Sequence, residues 1–458
     1  MEDIIFLKGT FDVQDHLWYD QDFKITNSTS AKYVYPVLID TVDFDNWSIP
    51  SFIDTTKAKI LFIQTQECGF ASKTGDELTW LSEIAHQYKL DLLLVTSDHL
   101  IQDKFHNLLK QGRIKNNFKV KAFTYFKNTL WFHDYSKNID EVFKLSLENN
   151  KIKKEFHFLN FNRATKKHRV CIFGELMTNP YFTNKFITSL GHNINIRNVD
   201  YVNEVKTAIE DSYNEKQRLL EFFKTYNPTT HYVYDETDLE NNKAANLNVD
   251  AHNKSFVNIV TESSYEDNFI FLTEKTFKPV YCAQPFILIG NPHSLKKLRE
   301  LGFKTFSQWW DESYDEEPLF HVRLSKIESI LENLCSKSDK ELRDILIEME
   351  EVLAYNYDLF TKINNEYFKQ VFSSITFLES DLIRDIDFEA SSMCNAGCSV
   401  CPRRRDGHYT EFTQTYWTLL DTKNIIDESI VRRLLGFNVC GNFGDGMANP
   451  ELASILSN

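Results

Sequence analysis

Three cysteines close to the C-terminus, Cys394, Cys398 and Cys401, have a spacing that can bind a metal centre. Three thiolates on one loop can bind three irons of a cubane cluster, and the fourth iron then stays open for the amino and carboxylate groups of a ligand. The same thiolates can bind zinc, with His408 as a fourth ligand. The sequence therefore predicts a metal centre on this loop, either iron–sulfur or zinc.

Predicted strands precede and follow the cysteine loop. Residues 385–390 form a strand that leads into it, and residues 435–441 form a second strand that leads into Gly444 and Asp445. This order resembles the radical S-adenosylmethionine superfamily, in which a Cys-x3-Cys-x2-Cys loop follows the first strand and a Gly-Gly-Glu-Pro segment follows the second. The resemblance implies a 4Fe–4S cluster on the three cysteines, S-adenosylmethionine contacted by Gly444 and Asp445, and reductive cleavage of that cofactor to a radical.

The tail departs from this family in sequence and in length. Asp445 stands where the family has Glu, and Gly446 stands where it has Pro. Only six residues follow Leu452, so the tail supplies the first two strands and one helix of a β/α barrel that needs about six such units. We expect a truncated chain; the alternatives are a second chain that completes the barrel and a relic that packs on the rest of the protein.

A second group of chemically suited residues lies further upstream, at the start of a predicted helix. A buried strand ends near Thr261, a polar loop follows, and Thr273 is placed as the N-cap of a helix with Glu274 and Lys275 in its first turn. Free N–H groups and the Lys275 ammonium can face a diphosphate, while Glu274 can accept the hydroxyl protons of a ribose. The alternative is an ordinary solvated helical turn. Pro279 predicts that the helix is short or kinked.

The segment 273–279, followed by 284–290, resembles the donor-binding half of two-domain (GT-B type) glycosyltransferases, particularly the α-1,3-fucosyltransferase and exostosin-like families. The resemblance covers about a third of the chain, residues 156–315. It implies a nucleotide sugar as donor, with Glu274 on the ribose and Lys275 on the diphosphate. It also implies a basic residue after the first strand of this half, and either Arg163 or Arg169 matches that position. The alternative for both arginines is a solvated basic turn.

Sugar transfer also needs a base that deprotonates the acceptor hydroxyl. Glu67 follows a predicted strand in the first part of the chain, and we predict it as that catalytic base. Asp43 and Asp45 match an Asp-x-Asp pattern but no strand leads into them, so a surface turn is the better interpretation. Three aromatic residues could stack on a sugar or a base or belong to the core: Trp309, Trp310 and Tyr314.

Alternating apolar runs and helical patterns predict an α/β fold with two Rossmann-like halves, as in GT-B proteins, a helical connector and a partial radical S-adenosylmethionine β/α barrel. A strand–helix–strand unit is predicted over 59–64, 76–88 and 91–96, and further strands at 119–126, 156–160, 193–196, 256–260 and 285–289. A long helix with a capping box at Ser338 and Glu341 follows. The predicted domains are 1–150, 151–335, 336–380 and 381–458.

The amino-acid composition restricts the classes of partner that are expected. Acidic residues outnumber basic ones by 66 to 51, and the net charge of −15 repels phosphate backbones, so nucleic acid is not the expected partner. No signal peptide and no stretch of about 18 uncharged residues is present, which predicts a cytoplasmic protein that does not bind membranes. Four scattered cysteines are expected in the core: Cys68, Cys171, Cys282 and Cys335.

Three functional hypotheses remain from the sequence. The first is a nucleotide-sugar-dependent transferase, acting on an acceptor that the sequence does not identify, followed by a radical-enzyme segment. In the second, radical chemistry is the main activity of a longer chain and the body recruits its substrate. In the third, the protein binds a ligand without catalysis and its tail holds zinc.

Overall fold

The structure is a computed structural model of the 458-residue chain. It describes these residues: 5–7, 24–26, 30, 32–39, 42, 44, 47–63, 76–122, 139–162, 164–190, 200–209, 216–226, 247–265, 269–361, 385–388, 391, 404–405, 408–409, 416–425, 436–439 and 449–457.

The first sheet has six described strands, all parallel, in the order β2-β1-β3-β4-β5-β6. The strands are β1 (Ile5–Leu7), β2 (Lys24–Thr26), β3 (Tyr33–Leu38), β4 (Ala58–Ile63), β5 (Asp91–Thr96) and β6 (Lys119–Ala122). Helices α1 (Asp76–Gln87) and α2 (Ile101–Lys110) lie between β4, β5 and β6 along the chain.

Burial explains why these segments form a parallel sheet. Every residue of β4 is buried, as expected of a parallel strand with both faces covered. Even Lys59 is buried, and its ammonium lies 3.5 Å from the carboxylate of Asp91 on β5. The strand–helix–strand unit predicted from the sequence is therefore confirmed, whereas the strand β3 was not predicted.

The second sheet has four described parallel strands in the order β10-β9-β7-β8. They are β7 (Phe156–Asn162), β8 (Phe186–Leu190), β9 (Ser255–Thr261) and β10 (Phe286–Ile289). The helices around them are α3 (Ile139–Asn149), α4 (Lys167–Thr178), α5 (Tyr201–Ile209), α6 (Gln217–Thr225), α7 (Val249–Lys254), α8 (Glu274–Tyr281) and α9 (Ser294–Glu300). The predicted α/β fold is confirmed. The strand predicted at 193–196 lies outside the described residues, and the sequence did not predict β8.

Helices that follow this sheet pack into the same hydrophobic core. They are α10 (Phe320–Ser336), α11 (Asp339–Glu348) and the helical stretch 350–361. Leu346, Met349 and Phe360 are fully buried within that core. The capping box is confirmed, because Ser338 accepts from the N–H of Glu341 while the Glu341 carboxylate accepts from the N–H of Ser338. The prediction of one long helix is wrong, since α11 ends with Met349 as its C-cap.

The tail contains β11 (Asp385–Phe388), β12 (Arg404–Arg405), β13 (His408–Tyr409), α12 (Leu419–Ile425), β14 (Gly436–Val439) and α13 (Leu452–Ser457). Strands β11 and β14 are parallel neighbours, so both strands predicted here are confirmed. Phe388 packs with Leu452 and Ile455 in a small core of this segment. Within the part of the chain that the structure describes, no helix has the length and apolarity needed to cross a membrane.

Candidate functional site

The candidate site lies at the carboxyl ends of β9 and β10. Because neighbouring parallel strands end at the same edge of a sheet, the residues that follow them meet there. Thr261 pairs with Ile289 at the last position of the two strands, and the N–H of Glu262 donates to the Ile289 carbonyl at 2.8 Å. The backbone of Glu262 is therefore fixed by the hydrogen bonding of the sheet, while its side chain can form contacts at the sheet edge.

The carboxylate of Glu262 binds the start of α8. Its Oε1 accepts from the Thr273 N–H at 2.9 Å and from the Thr276 hydroxyl, and its Oε2 accepts from the Thr273 hydroxyl at 2.6 Å. Glu262 is only 1% exposed. A buried carboxylate needs such donors, because desolvation otherwise opposes its charge. Glu262 thus fixes the helix start on the sheet edge, a role that was not predicted from the sequence.

Helix α8 begins where the sequence predicts. Thr273 is the N-cap, and its hydroxyl accepts from the N–H of Lys275 at 3.3 Å. Glu274 and Lys275 occupy the first turn, and the helix is short, with Pro279 in its last half. The Lys275 ammonium lies 2.7 Å from the Glu274 carboxylate and 3.3 Å from the Thr273 hydroxyl. The prediction for the local structure of this segment is confirmed.

The pair Glu274–Lys275 combines a buried anion with a more accessible cation. The Glu274 side chain is 6% exposed and that of Lys275 is 24% exposed. Burial by itself raises the pKa of Glu274, but the nearby ammonium groups of Lys275 and Lys278 outweigh it, so the pKa lies below its ordinary value. The carboxylate is therefore ionised at neutral pH, and Lys275 is the group that an incoming anion can reach.

Basic residues of α4 hold the loop that leaves β9. The His168 ring Nε2 lies 2.7 Å from the Glu262 carbonyl, and Arg169 donates to the carbonyls of Glu262 and Thr261 at 3.0 and 3.3 Å. Lys166, the N-cap residue of α4, donates to the Ser263 carbonyl at 2.7 Å. The prediction that Arg169 lies in a polar turn before the helix is wrong: α4 begins at Lys167, and Arg169 is buried in its first turn.

Arg323 of α10 binds the same region from the other side. Its buried guanidinium donates to the carbonyl of Tyr265 at 2.9 Å and to the carbonyl of Gly290, the residue after β10. The Tyr265 ring packs against His168, with 4.4 Å between ring centres. Arg323 could not be identified from the sequence, because its partners are far away along the chain.

The first sheet contacts the loop that leads to α8. His99, which follows β5, donates its N–H to the carbonyl of Ile270 at 2.9 Å. Its neighbour Asp98 is buried and pairs with Lys104 at 2.7 Å, and the Lys104 ammonium lies 5.9 Å from the centre of the Phe269 ring. The carboxyl end of β5 therefore touches the segment that enters the candidate site.

Many predicted site residues lie outside the described residues: Glu67, Arg163, Cys394, Cys398, Cys401, Gly444 and Asp445, together with Asp43, Asp45 and Cys68. Among the residues that the structure describes, no group of three or more His, Cys, Asp or Glu side chains could hold a metal ion. Cys171, Cys282 and Cys335 are buried, as predicted. Burial raises the pKa of Cys335 to about 11, so this thiol stays protonated.

Two of the three aromatic residues considered for ligand stacking belong to the core. Trp310 is buried against Phe306, with 5.3 Å between ring centres. Tyr314 is buried, and its hydroxyl accepts from the N–H of Leu288 on β10 at 3.2 Å. Trp309 remains partly exposed.

Comparison with protein-family models, with curated proteins and with solved structures gives no match.

The role of Glu262 can be tested with Glu262→Gln. The amide NH2 of the glutamine would replace a carboxylate oxygen that accepts a hydrogen bond, so two donors would face each other. We therefore expect a loss on the order of 3 kcal/mol in the free energy of unfolding, measured by urea denaturation. Glu300→Gln, which alters an exposed pair with Lys297, is the control and should cost less than about 1 kcal/mol. Equal losses in the two variants would contradict the assigned role.

The contact between the two sheets should depend on pH through His99. Burial, and secondarily Lys297, lowers the His99 pKa from 6.5 to about 3. The folded state therefore binds fewer protons than the unfolded state, and stability present above pH 6.5 is lost as pH falls towards 3. We expect the stability difference between wild type and His99→Asn to decrease by about 1.4 kcal/mol per pH unit below 6.5.

Urea titrations between pH 7.5 and pH 5 measure this difference. His293→Asn is the matched control, because His293 is exposed and its backbone φ of 69° suits asparagine. A difference between wild type and His99→Asn that stays constant with pH would show that His99 does not titrate in this way.

Proposed function

We propose that the protein is a nucleotide-sugar-dependent glycosyltransferase with a two-sheet, GT-B-like body, and that its donor binds at the start of α8. One observation carries the proposal: Thr273, Glu274 and Lys275 lie together at a helix start beyond the carboxyl end of β9, where the buried carboxylate of Glu262 holds them. Ligands of open parallel sheets bind at this edge.

The helix start suits the diphosphate of a nucleotide sugar. The first N–H groups of a helix have no partner within it, and the helix dipole adds positive potential there. Lys275 supplies a full positive charge at the same point, and 24% of its side chain is exposed. A diphosphate would therefore meet the ammonium group within the positive potential of the helix start.

Glu274 suits the sugar part of the nucleotide. Its carboxylate pairs with Lys275 at 2.7 Å. When the ammonium turns to the diphosphate, the carboxylate becomes free to accept hydrogen bonds from two ribose hydroxyls. Since the pKa of Glu274 is lowered, it can do so in its charged form at neutral pH.

The acceptor would approach from the first sheet. The contact of His99 with Ile270 brings the carboxyl end of β5 to the segment before Thr273. Glu67 comes shortly after Ile63, the last residue of β4, which neighbours β5. In the proposed reaction Glu67 takes the acceptor proton while the sugar–phosphate bond breaks and the bond to the acceptor oxygen forms.

Donor binding can be measured by titration calorimetry with UDP and GDP. We expect one of them to bind, and Lys275→Ala to weaken that binding by about tenfold or more, because the ammonium contacts the diphosphate. Lys296→Ala removes an exposed ammonium from α9 and should leave the affinity unchanged. The absence of binding by either nucleotide, or equal affinities for Lys275→Ala and wild type, would contradict the proposed donor site.

A second proposal concerns the tail. We infer that it is a radical S-adenosylmethionine segment, supported by the parallel pairing of β11 with β14 and by the helix α12 between them in the chain. This is the strand–helix–strand order of a β/α unit, and the three cysteines follow β11 as the motif requires. When bound, a 4Fe–4S cluster on these thiolates would supply the electron that cleaves S-adenosylmethionine.

Anaerobic reconstitution tests the tail. We expect iron and sulfide to bind and the electron paramagnetic resonance signal of the reduced cluster to change when S-adenosylmethionine is added. The triple variant Cys394→Ser, Cys398→Ser, Cys401→Ser should lose this signal, whereas Cys335→Ala, at a buried thiol of α10, should keep it. Stoichiometric zinc without iron in the purified wild-type protein, and no cluster after reconstitution, would contradict the proposal.

A further inference from the structure

We propose that a cavity beside Trp309 binds a neutral saccharide. The cavity has a volume of about 570 Å³, and its lining includes Arg299, Lys304, Gln308, Trp309 and Glu351. Small-ligand sites in proteins commonly have volumes of about 300 to 1,000 Å³ and combine aromatic walls with a few polar groups. This cavity has both features.

The cavity lies away from the proposed donor site. Phe306, next to the lining residue Thr305, packs its ring against Phe286 with 5.1 Å between centres. Phe286 opens β10, whereas the donor site lies beyond the opposite, carboxyl end of the sheet. A ligand here would therefore occupy a separate site, and this proposal is independent of nucleotide binding at α8.

A buried carboxylate shapes the wall of the cavity. Glu312 accepts from the Thr305 hydroxyl at 2.7 Å, from the Phe306 N–H at 2.7 Å and from Arg299 at 3.2 Å. Burial raises the pKa of Glu312, which these donors and the charge of Arg299 partly counter. The carboxylate thus joins the end of α9 to the loop that carries Trp309.

A second polar contact fixes the same loop. The Asn356 side chain accepts from the N–H of Lys304 and donates to its carbonyl, both at 2.8 Å. Asn356 belongs to the helical stretch 350–361, which also supplies Glu351 to the cavity. Both walls are therefore held before a ligand arrives, which lowers the entropic cost of binding.

Trp309 provides the aromatic surface. It is only partly buried, and its Nε1 donates to the Glu348 carboxylate at 3.3 Å, which orients the indole. The next residue, Trp310, is fully within the core. Trp310 thus packs in the core, whereas Trp309 faces the cavity. The C–H face of a sugar can lie on the Trp309 indole.

The polar lining suits hydroxyl groups more than a phosphate. The side chains of Gln308 and Glu351 are exposed and can exchange hydrogen bonds with hydroxyls as donor and acceptor. Arg299 is already paired with Glu312, and Lys304 lies 4.3 Å from the centre of the Tyr355 ring. The cations Arg299 and Lys304 thus already have partners, and the lining also includes the carboxylate of Glu351, which favours a neutral ligand.

Saturation-transfer difference NMR of the full chain with lactose, cellotriose and chitotriose tests the proposal. We expect at least one oligosaccharide to receive saturation, with its C–H protons closest to the protein. Trp309→Ala should weaken binding of that sugar about tenfold, whereas Trp309→Phe, which keeps a ring, should weaken it less.

Gln308→Ala provides a second variant in case Trp309→Ala unfolds, because Gln308 is exposed and its loss should weaken sugar binding without loss of fold. Tyr181→Ala, at an exposed aromatic residue outside the cavity lining, is the matched control and should bind as wild type. The proposal is overturned if none of the three sugars binds, or if Trp309→Ala and Gln308→Ala both bind as wild type.

Discussion

The buried carboxylate of Glu262 is the interaction on which the candidate site depends. A buried carboxyl group is costly unless donors surround it, and here the donors are the N-cap Thr273 and the first-turn Thr276 of α8. The same residue is bound through its N–H to β10. One side chain therefore ties a helix start to the edge of the sheet, and Glu274 and Lys275 take their positions from it.

Basic side chains complete this framework by binding main-chain carbonyls. Arg169 from α4 and Arg323 from α10 approach the loop after β9 from different helices. A site held from several elements loses little conformational entropy on binding, and its groups keep the positions that a ligand needs. The contact of His99 with Ile270 extends the framework to the first sheet, so the carboxyl ends of both sheets contribute to one region.

The predictable features were the local ones. Thr273 could be recognised as an N-cap because capping involves neighbouring residues, and β4, β5 and β9 could be recognised as continuous apolar runs. Glu262 and Arg323 could not, since their partners lie 11 and 58 residues away. Arg169 was misplaced because Lys166, the N-cap of α4, makes no side-chain capping bond. That helix therefore begins without a signal that the sequence could reveal.

A crystal structure of the chain with UDP or GDP would show whether the nucleotide binds at the start of α8. We expect the diphosphate within hydrogen-bonding distance of the Lys275 ammonium, with the ribose at Glu274 and the bond between Glu274 and Lys275 broken. A nucleotide bound elsewhere, with the helix start and the Glu274–Lys275 pair unchanged, would contradict this expectation.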